Sequence, residues 1–361
     1  MVVFNDVFID DTKNGRKIPK EEYLTEGLYP IIDQGQEYIA GYSNDKSGIY
    51  ENVPVIIFGD HTRIVKYVDV PFFLGADGVK VLKVKGKDVN HKYFYYALSN
   101  ARIPDTGYNR HFKWLKELDF NLANKEEQDV VVEVLDKLDY LIKTRKQQLQ
   151  KLDELVKARF VEMFGNPICN PNGYPVKNFE DISVLITDGE HATPRRTEKG
   201  IYLLSARNIL NHALQLENVD YIDEDEYVRI GKRVIPKEGD VLISCSGSIG
   251  RCCVVPEDFK FQMVRSVALI RFNETINPVF AEWLITTDEI QRQIIKSATQ
   301  SSQANLFQGK IRKLHGYIPP IELQCEFADF VQQINKSKLS VHQSLEKLET
   351  FKKALMQKYF G

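Results

Sequence analysis

The sequence has little cysteine, and its cysteines show no pairing pattern. The five cysteines in the chain of 361 residues are odd in number, and none stands in a C-x-x-C pair or beside histidines at zinc-ligand spacing. This argues against a disulfide framework and against a structural metal site. We therefore expect reduced, mostly buried thiols and no metal-binding residues.

Long apolar runs are also missing. No stretch approaches the roughly 18 to 20 apolar residues that a membrane-spanning helix needs, and the N-terminus lacks a basic-then-apolar signal pattern. The composition, 43% hydrophobic and 27% charged, is that of a soluble globular protein. These features favour a cytoplasmic protein that has no membrane partner.

The chain has no excess of positive charge. Lysine and arginine number 48 against 50 aspartates and glutamates, which gives a formal net charge of −2. Proteins that bind nucleic acid through its phosphates are usually basic. If this chain binds DNA, its positive charge must be local, or partner proteins must supply much of the contact with the DNA backbone, and the isolated chain should bind weakly.

Motifs of catalysis are absent as well. There is no G-x-x-x-x-G-K-[ST] loop for ATP, and residues 247–250 (GSIG) lack the spacing of a G-x-S-x-G nucleophile elbow. Asn-Pro pairs at 166–167 and 170–171 match an adenine methyltransferase tetrad only in part and are better explained as turns. The acidic run at 223–226 is typical of a solvated surface. We therefore predict no catalytic residues.

The feature that is present is an internal repeat. Residues 157–165 (KARFVEMFG) align with residues 353–361 (KALMQKYFG), and the same offset holds without gaps upstream, where Gln128 meets Gln324 and Leu149 meets Leu345. Repeats at a fixed offset indicate a duplicated structural unit. We therefore expect an internal pseudo-twofold repeat.

Each copy ends in a long segment with a heptad pattern. Apolar residues recur at alternating steps of four and three, which is the period of a coiled-coil helix. The first segment predicts a helix from Lys125 to Met163, about 58 Å long at 1.5 Å per residue, and the second follows Pro319 and Pro320. The seam positions are Val131, Leu135, Leu138, Ile142, Arg145, Leu149, Leu152, Val156, Arg159 and Met163, and then Phe327, Val331, Ile334, Lys338, Val341, Leu345, Leu348, Lys352, Leu355 and Tyr359.

Short β-rich runs precede each long segment. Residues 53–60 (VPVIIFGD) correspond to 239–246 (GDVLISCS), and residues 78–82 (GVKVL) to 267–271 (VALIR). A short helix is predicted after each pair of runs, at 91–99 and 277–286. We therefore predict an α+β protein in which two mixed α/β domains are separated by two long antiparallel helices that form a coiled coil. The predicted boundaries are 1–123 for the first domain, 124–165 for the first helix, 166–318 for the second domain and 319–361 for the second helix.

Short sequence segments in the second half add a resemblance. Residues 237–244 (KEGDVLIS) with 247–250, residues 301–306 (SSQANL) and residues 318–324 (IPPIELQ) are similar to segments of a known family. Together with the duplicated layout, they make the chain resemble the specificity subunits of type I restriction-modification systems. The resemblance covers nearly the whole chain.

The first half lacks these sequence motifs. Residues 120–128 (FNLANKEEQ) precede the first helix without either proline, and residues 59–63 (GDHTR) replace the Gly-Ser turn. The departure concerns the turns of the first domain, while the order of its elements matches the second.

The resemblance implies a non-catalytic subunit that reads an asymmetric, bipartite site in double-stranded DNA, with one half-site per target-recognition domain. It also implies two modification subunits, which bind S-adenosylmethionine and methylate adenine, and two restriction subunits with ATP-driven translocation and nuclease activity. S-adenosylmethionine, ATP and Mg²⁺ are then expected on the partner subunits and no cofactor on this chain. The long helices would set the gap between half-sites and dock the modification subunits.

Reading of base edges requires polar or cationic side chains on positioned loops. Solvated surface has the same composition, so each single residue is an open alternative between DNA contact and plain exposure. The predicted DNA-binding residues are Gln34, Tyr42, Asn44, Lys46, His61, Arg63, Tyr108, Asn109 and Arg110 in the first domain, and His191, Thr193, Arg195, Arg196, Arg207, Asn208, Arg251, Arg265 and Gln303 in the second.

Two other functions stay open at this point. One is a coiled-coil scaffold that joins proteins and never reads DNA, with a hairpin that serves only as a dimerisation arm as its simplest form. The other is a stand-alone DNA-modifying enzyme whose site carries no recognisable motif.

Overall fold

The computed structural model describes residues 2–75, 78–86, 88–107, 109–298 and 305–361. The chain divides into two compact units, one formed by residues 1–147 and 341–361 and the other by residues 148–340. Each unit therefore contains a β-rich segment together with part of both long helices.

The first unit contains short strands and three short helices before the first long helix. Single 3-10 turns also occur at Thr12–Asn14 and Lys20–Glu22. The elements are β1 (Val2–Val3), α1 (Phe4–Val7), β2 (Phe8–Asp10), β3 (Tyr29–Ile32), β4 (Gly41–Ser43), β5 (Val55–Gly59), β6 (Val65–Val68), β7 (Phe73–Leu74), β8 (Val79–Val84), α2 (His91–Ser99), α3 (Phe112–Leu115), β9 (Asp119–Phe120) and α4 (Lys125–Phe164).

The strands of this unit form three sheets. An antiparallel sheet has the order β2-β8-β5-β6, a three-stranded sheet has the order β4-β3-β7 with β3 and β7 parallel, and β1 pairs with β9. Side chains alternate between the two faces of a strand. Ile56 and Phe58 of β5 thus pack with α2 and the long helices, whereas Val55 and Ile57 pack toward the three-stranded sheet.

The second unit repeats the order of these elements and adds two strands and two helices. It also has 3-10 turns at Phe179–Ile182 and Ala206–Asn208. The elements are β10 (Val176–Asn178), β11 (Ser183–Asp188), β12 (Ile201–Leu204), β13 (Ile209–Leu210), β14 (Ala213–Leu214), β15 (Asp220–Ile222), α5 (Glu224–Gly231), β16 (Val241–Ser244), β17 (Cys252–Val254), β18 (Phe261–Met263), β19 (Val267–Phe272), α6 (Pro278–Ile285), α7 (Asp288–Ala298), α8 (Gln308–Ile311), β20 (His315–Tyr317) and α9 (Ile321–Phe360).

The sheets of the second unit repeat those of the first. The orders are β11-β19-β16-β17, β15-β12-β18 with β12 and β18 parallel, and β10-β20, to which the second unit adds the hairpin β13-β14. The predicted correspondence of residues 53–60 with 239–246 holds for the strands, because β5 and β16 have the same place in equivalent sheets, but its register is one residue off. Ile56 and Phe58 of β5 face the helices, as Val241 and Ile243 of β16 do. The predicted α+β class with an internal repeat is therefore confirmed.

The two long helices run antiparallel in each unit. In the first unit Asp139 and then Lys146 of α4 pair with Lys352 and then Glu349 of α9. In the second unit Asp153 and then Arg159 pair with Lys338 and then Glu326. Partner residues thus fall in number along α9 as they rise along α4. The heptad seam is confirmed as well, since every predicted seam position is buried or partly buried.

Two lysines interrupt the apolar seam of α9, and each is compensated by a charge on α4. Lys338 forms an ion pair with Asp153 in the second unit, and Lys352 forms one with Asp139 in the first. A partly buried charge is tolerated when an opposite charge satisfies it. These pairs explain why the seam accepts polar residues.

The aligned glutamines Gln128 and Gln324 make equivalent hydrogen bonds, which join a short helix to a long one in each unit. In the first unit the Gln128 side chain accepts a hydrogen bond from the Asn90 backbone N–H and donates one to the Ala123 carbonyl, both at 2.8 Å. Gln324 accepts from the Asn277 N–H at 2.9 Å and donates to the carbonyl five residues before it, at 2.8 Å. Since Asn90 and Asn277 cap the short helices, each joint fixes a short helix to a long one.

The cysteines are all free, and their burial varies. Cys245, Cys252 and Cys253 are buried, whereas Cys169 and Cys325 are exposed. Burial raises the pKa of the Cys245 thiol to about 12, which suppresses its reactivity. Among the residues that the structure describes, no cluster of three or more His, Cys, Asp or Glu could hold a metal ion. Within the same described ranges, no helix combines the length and apolar content that crossing a bilayer requires.

Candidate nucleic-acid interface

In the second unit, loops that are distant in sequence meet at one edge of the sheets. The turn that joins β16 and β17 is tied to the segment before β19, since the Cys245 N–H donates to the Ser266 carbonyl at 2.8 Å. The Cys245 carbonyl accepts from the Leu306 N–H at 2.9 Å. Residues 245–251, 264–266 and 305–306 therefore share a surface.

Two further loops join them. The Ala206 N–H donates to the Ser266 hydroxyl at 3.1 Å, and the Arg265 N–H donates to the Glu190 carbonyl at 3.0 Å. We call the surface formed by residues 188–191, 205–208, 245–251, 264–266 and 305–306 the second edge.

The first unit builds the same kind of surface with the same backbone hydrogen bonds. The Asp60 N–H donates to the Gly78 carbonyl at 2.7 Å, and the Asp60 carbonyl accepts from the His111 N–H at 2.8 Å. Gln34 reaches this place too, because its side-chain oxygen accepts from the His61 N–H at 3.1 Å. We call residues 34, 60–64, 78 and 109–111 the first edge.

Several predicted residues of the first domain lie on the first edge. Arg63 has a left-handed backbone, with φ of 62°, and its guanidinium binds Asp105 at 2.8 Å. Asn109 donates from its side chain to the Thr106 carbonyl, and Arg110 is exposed. The predicted Tyr108 lies outside the described residues.

The other predicted residues of the first domain lie on and after β4. Tyr42 belongs to this strand rather than to a loop, opposite Pro30 of β3. The Asn44 side chain accepts from the Leu28 N–H at 3.0 Å and so supports a turn, whereas Lys46 is exposed. The sequence could not separate these roles because all three residue types are common on surfaces.

The arginines of the second unit are of two kinds, and most are paired with carboxylates. Arg195 binds both carboxylate oxygens of Asp223, at 2.8 and 3.0 Å, which raises the pKa of its guanidinium. The predicted His191 contacts Asp188 at 2.9 Å. Arg196 and Arg207 each contact one carboxylate oxygen of Asp220, at 3.1 and 2.9 Å.

Arg251 and Arg265 are of the other kind. Within the described ranges neither side chain has a hydrogen bond or ion pair, and both stand on the second edge. An unpaired guanidinium has all five N–H donors available for phosphate or for base edges. Thr193 is also exposed, whereas Gln303 lies outside the described residues.

Asn208 has a structural role. It is 1% exposed, its side-chain oxygen accepts from the Ser205 N–H at 2.9 Å, and its amide donates to the Gln215 carbonyl at 2.9 Å. This side chain therefore stabilises the 205–208 turn, and it is not among the proposed DNA contacts.

The acidic run at 223–226 meets the prediction of a solvated surface only in part, since Glu224 and Asp225 are exposed on α5 whereas Asp223 and Glu226 have structural roles. The Asp223 side chain caps α5 by accepting from the Glu226 N–H at 2.9 Å. Glu226 is 7% exposed, and two hydrogen bonds from Arg229 hold its pKa at about 2. Arg229 lies three residues further along the same helix face, but the Arg195 N–H, which donates to Glu226 at 3.0 Å, comes from a distant loop that only folding brings here.

These features define a duplicated protein with one polar, loop-built edge on each copy. Comparison with known proteins gives the class. The family model for the type I restriction modification DNA specificity domain matches residues 2–154 and 174–350. The chain therefore belongs to this family and is a type I restriction-modification specificity subunit, as its sequence predicts.

Individual proteins that are similar to this chain are also specificity subunits. The chain is 22% identical over 363 residues to the EcoBI specificity subunit of Escherichia coli, covering 90% of this chain and 76% of that one. It is 34% identical over 87 residues to the EcoR124I/EcoR124II specificity subunit of Escherichia coli, where the match spans 23% of this chain and 21% of the relative. A putative MjaX specificity subunit of Methanocaldococcus jannaschii is 24% identical over 199 residues, which is 53% of this chain and 46% of that protein.

Solved structures show the same fold. The type I S subunit of M. genitalium superposes with a TM-score of 0.67 at 15% identity, covering 99% of this chain and 95% of that one. A chain from a study of complex assembly in the type I R-M system gives 0.54 at 13% identity, with 99% and 95% covered.

Proposed function

We propose that this subunit reads an asymmetric, bipartite site in double-stranded DNA, one half-site per recognition domain, with the domains at 1–123 and 166–318. The observation that carries the proposal is that the two edges share their backbone connections and differ in their side chains. The first edge carries Gln34, His61 and Arg63, whereas the second carries Arg251 and Arg265. Equivalent frames with different side chains suit two different half-sites.

The long helices are proposed to set the gap between the half-sites. Each has 40 residues, which is about 60 Å at 1.5 Å per residue. One turn of B-DNA, the natural separation of two readers on one face, is about 34 Å. Helices of this length leave room for attachment of both domains beyond that separation.

We also propose that the helices dock two modification subunits, which carry S-adenosylmethionine and recruit two restriction subunits that use ATP and Mg²⁺. Exposed apolar side chains on α4 support docking there: Val130, Val134 and Leu141 are 58%, 38% and 40% exposed and follow one face of the helix. This chain itself would be non-catalytic and act in the cytoplasm. With a net charge of −2, it would bind DNA weakly until its partners complete the complex.

Exchange of residues 168–318 for the corresponding segment of a relative tests DNA reading. Methylome sequencing of cells that carry the chimaera should show one half-site changed and the other kept. Exchange of residues 1–123 is the matched experiment, with the opposite half-site changed. If neither chimaera alters the methylated sequence, the coiled-coil scaffold is the better description.

A second experiment addresses the enzyme alternative. The purified chain is incubated with DNA, S-adenosylmethionine and Mg²⁺ but without partners. We expect neither methyl transfer nor cleavage. Turnover by the chain alone contradicts a non-catalytic role, and nanomolar, sequence-selective binding by the lone chain contradicts dependence on partners.

A further inference from the structure

One carboxylate in the second unit holds two of the predicted arginines. The Asp220 oxygens contact the Nε of Arg196 at 3.1 Å and a terminal nitrogen of Arg207 at 2.9 Å. The two arginines lie on either side of β12 in sequence, and Asp220 begins the neighbouring strand β15, opposite Leu203. Arg207 belongs to the second edge, so Asp220 joins Arg196 to that surface.

Stability does not account for this arrangement. The side chain of Asp220 is 31% exposed, and those of Arg196 and Arg207 are 47% and 55% exposed. Ion pairs between exposed side chains contribute little to folding, because water screens them and the long side chains lose entropy. The pairing of β15 with β12 uses the backbone and does not need the carboxylate.

A carboxylate at this place also opposes binding of DNA. It cancels part of the positive charge that Arg196 and Arg207 would otherwise offer to phosphate. What the carboxylate supplies is an anchor: each guanidinium contacts Asp220 through one nitrogen, which limits where the group can lie, while its remaining N–H groups stay available.

We propose that Asp220 is a positioning residue that holds Arg196 and Arg207 as paired readers of guanine in the second half-site. Guanine presents two adjacent acceptors, O6 and N7, in the major groove, and a guanidinium anchored through one nitrogen still has N–H groups that can bind both. The inference rests on the proposed function, because it concerns the DNA site that this function assigns to the second domain.

The first unit lacks the device. β4 holds the place of β15 there, with the equivalent register, and it begins at Gly41, opposite Ile31. The position of Asp220 thus has no carboxylate in the first unit, and changes at Asp220 are expected to spare the first half-site.

The test uses the full chain in complex with its modification subunits. Methylome sequencing of the wild type first identifies the methylated site, which should contain guanine in the half assigned to residues 166–318. Binding of the complex is then measured to three DNA duplexes: the site itself, the site with those guanine pairs replaced, and the site with the first half-site replaced.

Asp220→Asn should lower discrimination at the second half-site about tenfold, in line with the loss of one bidentate base contact. Its affinity for the guanine-replaced duplex should stay equal or rise, because a repulsive charge is gone. Arg196→Lys and Arg207→Lys keep the charge but lose the planar fork, so they should lower discrimination in the same direction.

Glu224→Gln is the matched control, since Glu224 is an exposed carboxylate of the same unit, paired with Lys260 at 2.7 Å. It removes the same charge and should leave discrimination unchanged. The proposal is overturned if the second half-site contains no guanine, if Asp220→Asn keeps wild-type discrimination, if it lowers discrimination at both half-sites equally, or if Glu224→Gln has the same effect. A wild type that methylates no bipartite site at all would instead overturn the proposed function.

Discussion

The Gln324 joint gives the sharpest test of how the second unit is held together. Gln324 is 0% exposed, and its side chain accepts from the Asn277 N–H at 2.9 Å and donates to the carbonyls of Thr275 at 3.1 Å and Pro319 at 2.8 Å. Leucine has a similar size but no polar atoms. Gln324→Leu therefore removes these hydrogen bonds without opening a large cavity.

The expected cost follows from the bonds lost. A buried hydrogen bond contributes about 1 kcal/mol net, so the loss of three should lower the free energy of unfolding by about 3 kcal/mol. The cost is larger if water cannot reach the backbone groups that lose their partner. Gln128→Leu removes two such bonds in the first unit and should cost about 2 kcal/mol. Gln332→Leu, at an exposed position of α9, is the control and should change stability by less than about 0.5 kcal/mol.

The two tryptophans of the chain allow each unit to be followed separately. Trp114 lies in the first unit and Trp283 in the second. Urea unfolding of Gln324→Leu is therefore followed by fluorescence in a Trp114→Phe background, and that of Gln128→Leu in a Trp283→Phe background. A cost at Gln324 below about 1 kcal/mol, or a larger cost at Gln128 than at Gln324, would refute the assignment of these joints.

Two further predictions concern charge. Because Arg229 holds the pKa of Glu226 at about 2, below its ordinary 4.5, the stabilisation is complete above pH 4.5 and is lost as the pH falls toward 2. Glu226→Gln should therefore destabilise the second unit at neutral pH and match the wild type near pH 2, and a difference that persists there would contradict the pairing. Arg265→Ala should reduce by about 1 the slope of log affinity against log salt for the assembled complex on DNA of arbitrary sequence, whereas Arg292→Ala, an arginine paired with Glu289, should not. Equal slopes for the two variants would place Arg265 away from phosphate.

The local patterns in the sequence determined the two long helices, the short helices at 91–99 and 277–286, and the repeat. A helix is fixed by residues three and four positions apart, so the heptad steps from Val131 onward predicted α4 within one residue of its end. Pro319 and Pro320 marked the start of α9 for the same local reason. The alignment of Gln128 with Gln324 could be found in the sequence, but their hydrogen bonds to the Asn90 and Asn277 backbones could not be predicted from it.

Only the tertiary structure decided what the surfaces contain. Strand partners come from far along the chain, as when β3 pairs with β7, and no short-range pattern encodes that choice. The meeting of Cys245 with Leu306, the burial of Glu226 and the position of Asp220 between Arg196 and Arg207 all depend on such distant pairings. Residue type alone could name the arginines, but free and paired guanidiniums differ only in what folding places beside them.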